Sequence, residues 1–225
     1  TGVIWYLLAR DKPKQSTKLD LPNDMTPSSL TYLLKIRNVR IVLALSIAAF
    51  LVMHGLVNWA PTIMQRHAAM NLANAGFWSG MGVGTGVIGS IIVPALAAAG
   101  IRRIIMPFIL ILTSIGLFGL SIINNNIPVL SLILVNFASA PIWPILTLIL
   151  IETKGIGPRR IGAAVGLAFA FAEIGGFIGP LLLGIVQEVF GSIVPGLIGL
   201  SVVLLLLVFP ATLIKESKIN KPQNI

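Results

Sequence analysis

The sequence predicts an all-α membrane protein with six transmembrane helices arranged as two inverted repeats of three. The chain of 225 residues is 56% hydrophobic and only 10% charged, whereas about a quarter of the residues of an ordinary soluble domain are charged. Six apolar runs are each long enough to cross a bilayer, which takes about 20 residues. The runs do not alternate between polar and apolar residues, so we expect helices rather than a barrel.

The predicted organisation is a membrane bundle over residues 39–214 with polar segments on either side. We predict its six spans at about residues 39–62, 75–99, 103–123, 127–151, 161–187 and 192–214. Residues 1–8 are interpreted as the end of a preceding transmembrane helix, residues 9–38 as a central cytoplasmic loop and residues 215–225 as a cytoplasmic tail. The chain is therefore expected to be one half of a longer protein.

The loop contains one short segment with helical periodicity. Leu30, Leu33 and Leu34 recur at helical spacing, and Ser28 or Ser29 is expected to cap the helix at its N-terminus. An amphipathic helix beside basic residues is typical of a segment that lies on a membrane surface.

The distribution of positive charge predicts the orientation of the bundle. With six alternating spans, all 16 Lys and Arg residues except Arg66 fall on one side of the membrane. Basic loops mark the cytoplasmic side, so the loop and the C-terminus are expected to be cytoplasmic. The expected location is the plasma membrane, that is, the inner membrane of the cell.

Several functions are excluded by composition. Without Cys there are no thiolate metal sites and no Cys nucleophiles, and two His are too few for a metal cage. The net charge of +9 lies between apolar segments rather than on a soluble face, so we expect membrane lipid, and no nucleic acid, as a partner. The Gly-rich tract "GFWSGMGVGTGVIGS" lacks the strand and the Lys of a phosphate loop. We therefore expect no enzyme activity, no cofactor and no metal.

Three spans of one character are followed by three similar spans. The first and fourth carry Trp next to Pro, in "NWAP" (58–61) and "PIWP" (141–144), the second and fifth are rich in Gly, and the third and sixth are aliphatic. Because three is odd, the two units cross the membrane in opposite directions, which is the inverted repeat of secondary transporters. Chance is the alternative, since Gly and Pro are common in membrane helices.

One carboxylate lies inside the fifth apolar run, in "FAFAEIGGFIGP" (169–180). A charge at membrane depth costs at least about 2.5 kcal/mol, so Glu173 needs a partner, water in a cavity or a proton. We expect it on the small-residue face of its helix rather than on the Leu and Phe face. Two interpretations stay open: a carboxylate that couples transport to protons or ions, and a structural clip between helices.

Two further polar faces complete the candidate pathway. His54 and Asn58 are spaced by four in the first span and share one face. Histidine changes charge near neutral pH, so His54 could relay protons with Glu173. Asn136 and Trp143 share a face of the fourth span, where two prolines bend the helix. For each of these residues ordinary packing is the alternative.

Small residues on the second span form two ladders that we expect to pack helices together. The ladders are Gly76, Gly80 and Gly84, and Gly82, Gly86 and Ser90. Trp59 and Trp78 lie nearer helix ends and are interpreted as anchors at the membrane interface.

The chain resembles the C-terminal half of a major facilitator superfamily transporter over nearly its whole length. The tract "GPRRIGAAVGLAFAFAEIGGFIGPLLLGIV" (157–186) is similar to the loop into helix eleven and that helix, and residues 54–104, which contain "NWAPTIMQRH" and "PALAAAGIRRI", are similar to helices seven and eight. Residues 54–104 in particular resemble the anion-transporting and cyanate-transporter-like branches of this superfamily.

This resemblance implies alternating access between two six-helix bundles. Its partner would be the N-terminal half of the same protein, or a second copy. The implied substrate and proton pathway consists of His54, Asn58, Asn136, Trp143 and Glu173. Arg102 and Arg103 fall in the cytoplasmic gating loop, but "PALAAAGIRR" has alanines where the family often carries an acidic residue before its basic cluster.

The predicted function is transport of a small solute, by preference a small organic or inorganic anion, through proton symport or exchange. The alternatives are a multidrug or metabolite exporter and a membrane scaffold subunit that transports nothing.

Overall fold

The computed structural model of the chain describes residues 27–97, 100–124 and 126–215. Every regular element in these ranges is helical: α1 is Pro27–Lys35, α2 Arg37–His67, α3 Leu72–Leu96, α4 Arg102–Leu120, α5 Ile127–Ser139, α6 Ile142–Glu152, α7 Ile161–Phe190 and α8 Val194–Thr212. Six segments in the same ranges are long and apolar enough to cross a membrane, with α5 and α6 counted as one segment. The predicted fold class, an all-α membrane protein with six spans, is confirmed.

The helices differ from the predicted spans mainly at their ends. The first span continues to His67 with Pro61 inside the helix. The second begins at Leu72, earlier than predicted, because the Asn71 side chain caps it by accepting a hydrogen bond from the Asn74 N–H at 2.8 Å. The interpretations of residues 1–8, most of the loop 9–38 and the tail beyond residue 215 concern positions outside the described residues.

The fourth span is broken into α5 and α6 by proline. Pro141 has no N–H to donate to the Phe137 carbonyl four residues earlier, so the helix turns at residues 140 and 141 and resumes at Ile142. The Phe137 carbonyl faces Gly89 of α3, where any Cβ would collide with it. A proline on one helix and a glycine on its neighbour therefore let the two backbones meet.

Two glycine-mediated contacts hold the bundle together. In α7, Gly175 and Gly179 lie directly against the backbone carbonyls of Ile47 and Leu51 in α2, so neither position has room for a Cβ. In α3, Gly86 lies against the Asn136 carbonyl of α5 in the same manner, with 3.3 Å between that oxygen and the position of a Cβ. The first span thus packs on the fifth as the fourth packs on the second.

A pair of serines joins the two remaining spans. The Ser114 hydroxyl of α4 donates to the Ser201 carbonyl of α8 at 2.9 Å, and the Ser201 hydroxyl donates to the Ser114 carbonyl at 2.9 Å. The contact is reciprocal, as expected if a two-fold axis that exchanges the third and sixth spans passes between these residues. Together with the two glycine contacts, this is the packing that the predicted inverted repeat requires.

Four segments that contain basic residues meet at one end of the bundle, which we call the basic end. They are the start of α2, the start of α4, the segment after α6 and the segment after α8. The buried Asn38 amide of α2 donates to the Thr153 hydroxyl at 3.0 Å and to the Lys215 carbonyl at 2.8 Å, and its oxygen accepts from the Lys215 N–H at 3.0 Å. Arg102 at the start of α4 forms an ion pair with Glu152 at the end of α6. The alternating direction of the spans on which the charge argument depends is therefore present.

The opposite end of the bundle is closed by His67. This buried residue ends α2, and its ring Nδ1 donates to the Leu120 carbonyl at the end of α4, 2.6 Å away. Its own carbonyl accepts from the Asn124 N–H at 2.9 Å. His67 thus ties the first span to the third and has a structural role.

Helix α1 lies against the basic end. Leu33 is fully buried, and Arg160 lies over the Tyr32 ring, 4.5 Å from its centre. The helix begins with Pro27, the favoured first position, so Ser28 and Ser29 lie inside the helix and the expected serine cap was wrong. The predicted short helix exists, and its buried leucine packs on protein.

The glycine contact between α2 and α7 gives a first testable prediction. We expect Gly175→Ala to destabilise the protein by about 1–3 kcal/mol or more, because the new methyl group must push two backbones apart. Gly199→Ala in α8 is the control, since a Cβ there meets nothing within 4 Å. Thermal unfolding of the purified full-length protein measures both; equal melting temperatures would contradict the close packing.

The polar network at the basic end gives a second prediction. Asn38→Ala removes three hydrogen bonds and leaves buried groups unpaired, so we expect a loss of about 2–3 kcal/mol in the free energy of unfolding. Asn126→Ala, at an exposed Asn whose side chain makes no cap bond, should change stability by less than about 0.5 kcal/mol. Denaturant titration compares the two variants, and a harmless Asn38→Ala would refute this role.

Candidate functional site

Two ionisable side chains meet between α2 and α7. His54 and Glu173 each lie near the middle of their helix. The space left by Gly176 brings them together: the Cβ that this residue lacks would lie 3.3 Å from Glu173 Oε2 and 3.4 Å from His54 Cδ2. Both side chains thus border the gap left by Gly176, and a proton relay between them stays a prediction.

Aromatic rings surround this pair. Phe50, one turn before His54, stacks on the imidazole with ring centres 5.5 Å apart. The edges of Phe50, Trp143 and Phe169 pack against one another with ring centres 5.3 to 5.9 Å apart. Because Phe169 precedes Glu173 by four residues, ring and carboxylate share a face of α7. We call Phe50, His54, Trp143, Phe169 and Glu173 the aromatic–acidic patch.

The patch is open on one side. Phe50 is buried beneath it, whereas Phe169 is 48% exposed and Glu173 is also exposed. Among the described residues no hydrogen bond or ion pair to the Glu173 side chain is found. The expectation that Glu173 avoids the Phe face was wrong in part, because it lies between Gly176 and Phe169. A carboxylate with nothing bound to it is poorly suited to clip helices together.

Asn58 lies one turn beyond His54 on the same helix. Its side chain is exposed, and its amide donates to the His54 carbonyl at 2.8 Å. The predicted shared face of the two residues is therefore correct. The oxygen of the Asn58 amide takes no part in the hydrogen bond to the His54 carbonyl. The side chain is placed to extend the patch by one turn.

Asn136 lies apart from the patch. It lines a cavity of about 150 Å³ between α2, α3 and α5, together with Val57, Ser79 and Gly80, and its amide donates to the Leu132 carbonyl at 2.9 Å. The structure therefore separates the five predicted pathway residues into the patch with Asn58, and Asn136 in a neighbouring cavity.

Sequence reasoning missed three residues at this site. Phe50 and Phe169 were each signalled by their position one turn before a chosen ionisable residue. Trp59, interpreted as an interfacial anchor, instead donates from its indole N–H to the Pro180 carbonyl of α7 at 3.1 Å. It reinforces the α2–α7 contact on the far side of Gly176.

The patch contains no Lys or Arg side chain. Within the described residues, His54 and Glu173 are the ionisable groups that lie inside the spanning helices and away from their ends. The described part of the chain also contains no group of three His, Cys, Asp or Glu side chains that could hold a metal ion. Its chemistry is therefore that of one carboxylate, one imidazole, two phenyl rings and one indole, whose N–H can donate a hydrogen bond.

Arg102, one of the two arginines predicted to lie in a cytoplasmic gating loop, has an acidic partner that sequence reasoning did not find. Arg102 is buried, its Nε donates to the Ala97 carbonyl at 3.0 Å, and it pairs with Glu152. The acid absent from the loop itself comes from the end of the fourth span, 50 positions further along the chain by sequence number. Arg103, the second residue of α4, is exposed.

The ion pair gives a third prediction. Glu152→Gln leaves a buried guanidinium without its carboxylate, and we expect a loss of about 1–3 kcal/mol, since Glu152 itself is partly exposed. Adding Arg102→Gln should recover part of the loss. Glu188→Gln, at an exposed carboxylate near the end of α7, is the matched control. Additive losses in the double variant would refute direct coupling of the pair.

The chain was compared with known proteins. No curated protein matches it. The family model described as Major Facilitator Superfamily matches residues 1–180, which is most of the chain. The members of that family are membrane transporters, and the six apolar helices make this chain an integral membrane protein. The chain belongs to the Major Facilitator Superfamily.

Proposed function

We propose that the chain forms one bundle of a secondary transporter that moves a small solute by alternating access, with Glu173 as the proton-coupling carboxylate. One observation carries the proposal: an exposed carboxylate, to which the described residues offer no hydrogen bond or ion pair, lies beside an imidazole in the middle of two spanning helices. Ionisable groups inside a membrane are costly and are typical of ion pathways. His54 is placed to exchange protons with it.

A second six-helix bundle is the proposed partner, either an N-terminal half of the same protein or another copy. Helices α3 and α7 are the least buried of the six spans. Gly76, Gly80 and Gly84 of α3 and Gly162 and Gly166 of α7 meet nothing within 4 Å. Small residues allow close helix approach, so these two faces are suited to receive helices of the second bundle.

The basic end is proposed to face the cytoplasm, with the plasma membrane as the location. Support comes from the convergence of the four basic segments at one end and from the tendency of basic loops to stay inside. The Arg102–Glu152 pair then lies on the cytoplasmic side, where it holds the third and fourth spans together.

The nature of the solute decides between the transport alternatives. A small anion, preferred by the sequence analysis, stays a prediction, and in this bundle it would meet a carboxylate rather than a cation. An anion carrier would need its cations from the second bundle. The exporter alternative agrees better with the aromatic–acidic patch. The scaffold alternative does not explain why a carboxylate in the middle of a spanning helix is exposed.

Removal of the carboxylate tests the proposal. In vesicles that contain the full-length protein, Glu173→Gln should abolish transport driven by a pH gradient while exchange of solute for solute continues, because the variant cannot release a proton. Glu188→Gln, on the same helix but near its end, should transport as the unmodified protein does. A panel of anions, cations and neutral solutes is followed with and without the gradient.

Two results would contradict the proposal. Gradient-driven transport that survives Glu173→Gln would remove the coupling role from this residue. No movement of any solute by correctly folded and inserted protein would favour the scaffold alternative.

A further inference from the structure

We infer that the solute moved by this protein carries a cationic group, which binds at the aromatic–acidic patch between the Glu173 carboxylate and the open rings of Phe169 and Trp143. The inference rests on the proposed transport function and names the substrate class of the same site. It predicts an organic cation such as an amine or a quaternary ammonium compound.

The charge of the site is the first support. In the described part of the chain, helices α3, α5 and α8 contain no ionisable residue, and those of α4 and α6 lie at the basic end. Apart from Glu173, His54 of α2 is the titratable group that faces the patch. With a neutral imidazole the patch has a net charge of −1, and a bound cation neutralises it. An anion would double the charge at this depth.

The arrangement of the rings is the second support. A cation is attracted to the face of an aromatic ring within about 6 Å of its centre. The ring centres of Trp143 and Phe169 are 5.8 Å apart with planes inclined by 64°, so two rings of different orientation lie side by side, and Phe169 is 48% exposed. Phe50 lies behind both and fixes their positions. Neither ring can donate a hydrogen bond from its face to an anion.

The unoccupied carboxylate is the third support. Glu173 is exposed, and its Oε2 lies close to the α2–α7 contact. The Cβ that Gly176 lacks would be 3.3 Å from this oxygen. The Phe169 ring precedes the carboxylate by one turn of α7, and the Trp143 ring of α6 packs against it, which matches an ammonium group flanked by hydrocarbon.

One carboxylate cannot hold a proton and a cation at the same time. Binding of the cation to the protonated site releases one proton, so that the acid and the free cation become a carboxylate–cation pair and a free proton. The inference therefore favours exchange of the solute for protons over symport. It also requires that affinity for the cation falls as the pH is lowered.

Binding of three probes that share a benzene ring tests the charge preference directly. The full-length protein in lipid nanodiscs is titrated at pH 8 with benzyltrimethylammonium, benzyl alcohol and benzoate, and Trp fluorescence reports binding. We expect the cation to bind at least about tenfold more tightly than benzoate, and more weakly as the pH falls. This pH series uses the unmodified protein and does not depend on the folding of a variant.

Variants locate the binding site. Glu173→Gln should weaken binding of the cation about tenfold or more, which corresponds to the loss of one charge pair. Phe169→Leu keeps an apolar side chain but removes the ring, and should weaken it about threefold to thirtyfold. Glu188→Gln is the control and should bind as the unmodified protein does.

Three outcomes would overturn the inference. They are that benzoate binds more tightly than the cation, that the cation does not bind measurably, and that the affinity for the cation does not depend on Glu173. Any one of them refutes the inference. Gradient-driven transport of an anion by a protein that does not bind the cation would leave the transport function intact and refute this inference alone. Binding of the cation without transport of any solute would refute both.

Discussion

The approach of α7 to α2 through Gly175 and Gly179 is the constraint on which the rest of the structure depends. Because these glycines lie against the Ile47 and Leu51 carbonyls, the two backbones are nearer than any pair of larger residues would allow. Lipid offers helices little hydrophobic reason to associate, so van der Waals contact at this depth does the work. The same contact sets the depth of Gly176 relative to His54, and thus brings the imidazole and the carboxylate together.

The inverted repeat explains why α3 and α5 meet in the same manner. The second and fifth spans each contribute glycines, and the first and fourth each contribute carbonyls. In the fourth span the Phe137 carbonyl is additionally freed by Pro141, whereas α2 remains continuous past Pro61. The two halves of the bundle thus share a packing rule but differ in local chemistry: ionisable groups lie on one contact, and Asn136 and its small cavity on the other.

The sequence predicts spans well because burial in lipid imposes a length and a composition on each helix. It also predicts which residues share a helix face, so His54, Asn58 and Glu173 were found. It cannot assign two glycine ladders on one helix to different neighbours: Gly82 and Gly86 pack on α5, while Gly80 and Gly84 face open space. Nor can it pair Arg102 with Glu152 or separate Asn136 from the patch, since these depend on how distant helices are rotated and translated.

In the proposed transporter, exposure of Glu173 would supply a physical basis for coupling. As long as water reaches the carboxylate, its charge costs little. If the proposed second bundle closes over the patch, water leaves, and an uncompensated charge becomes expensive by several kcal/mol. Closure is then favourable only with a proton on the carboxylate or a cation beside it, so the empty ionised site stays open to one side. Neither a switch nor a relay is needed for this; the desolvation cost of one carboxylate, held in place by two glycines of α7, is sufficient to link occupancy to movement.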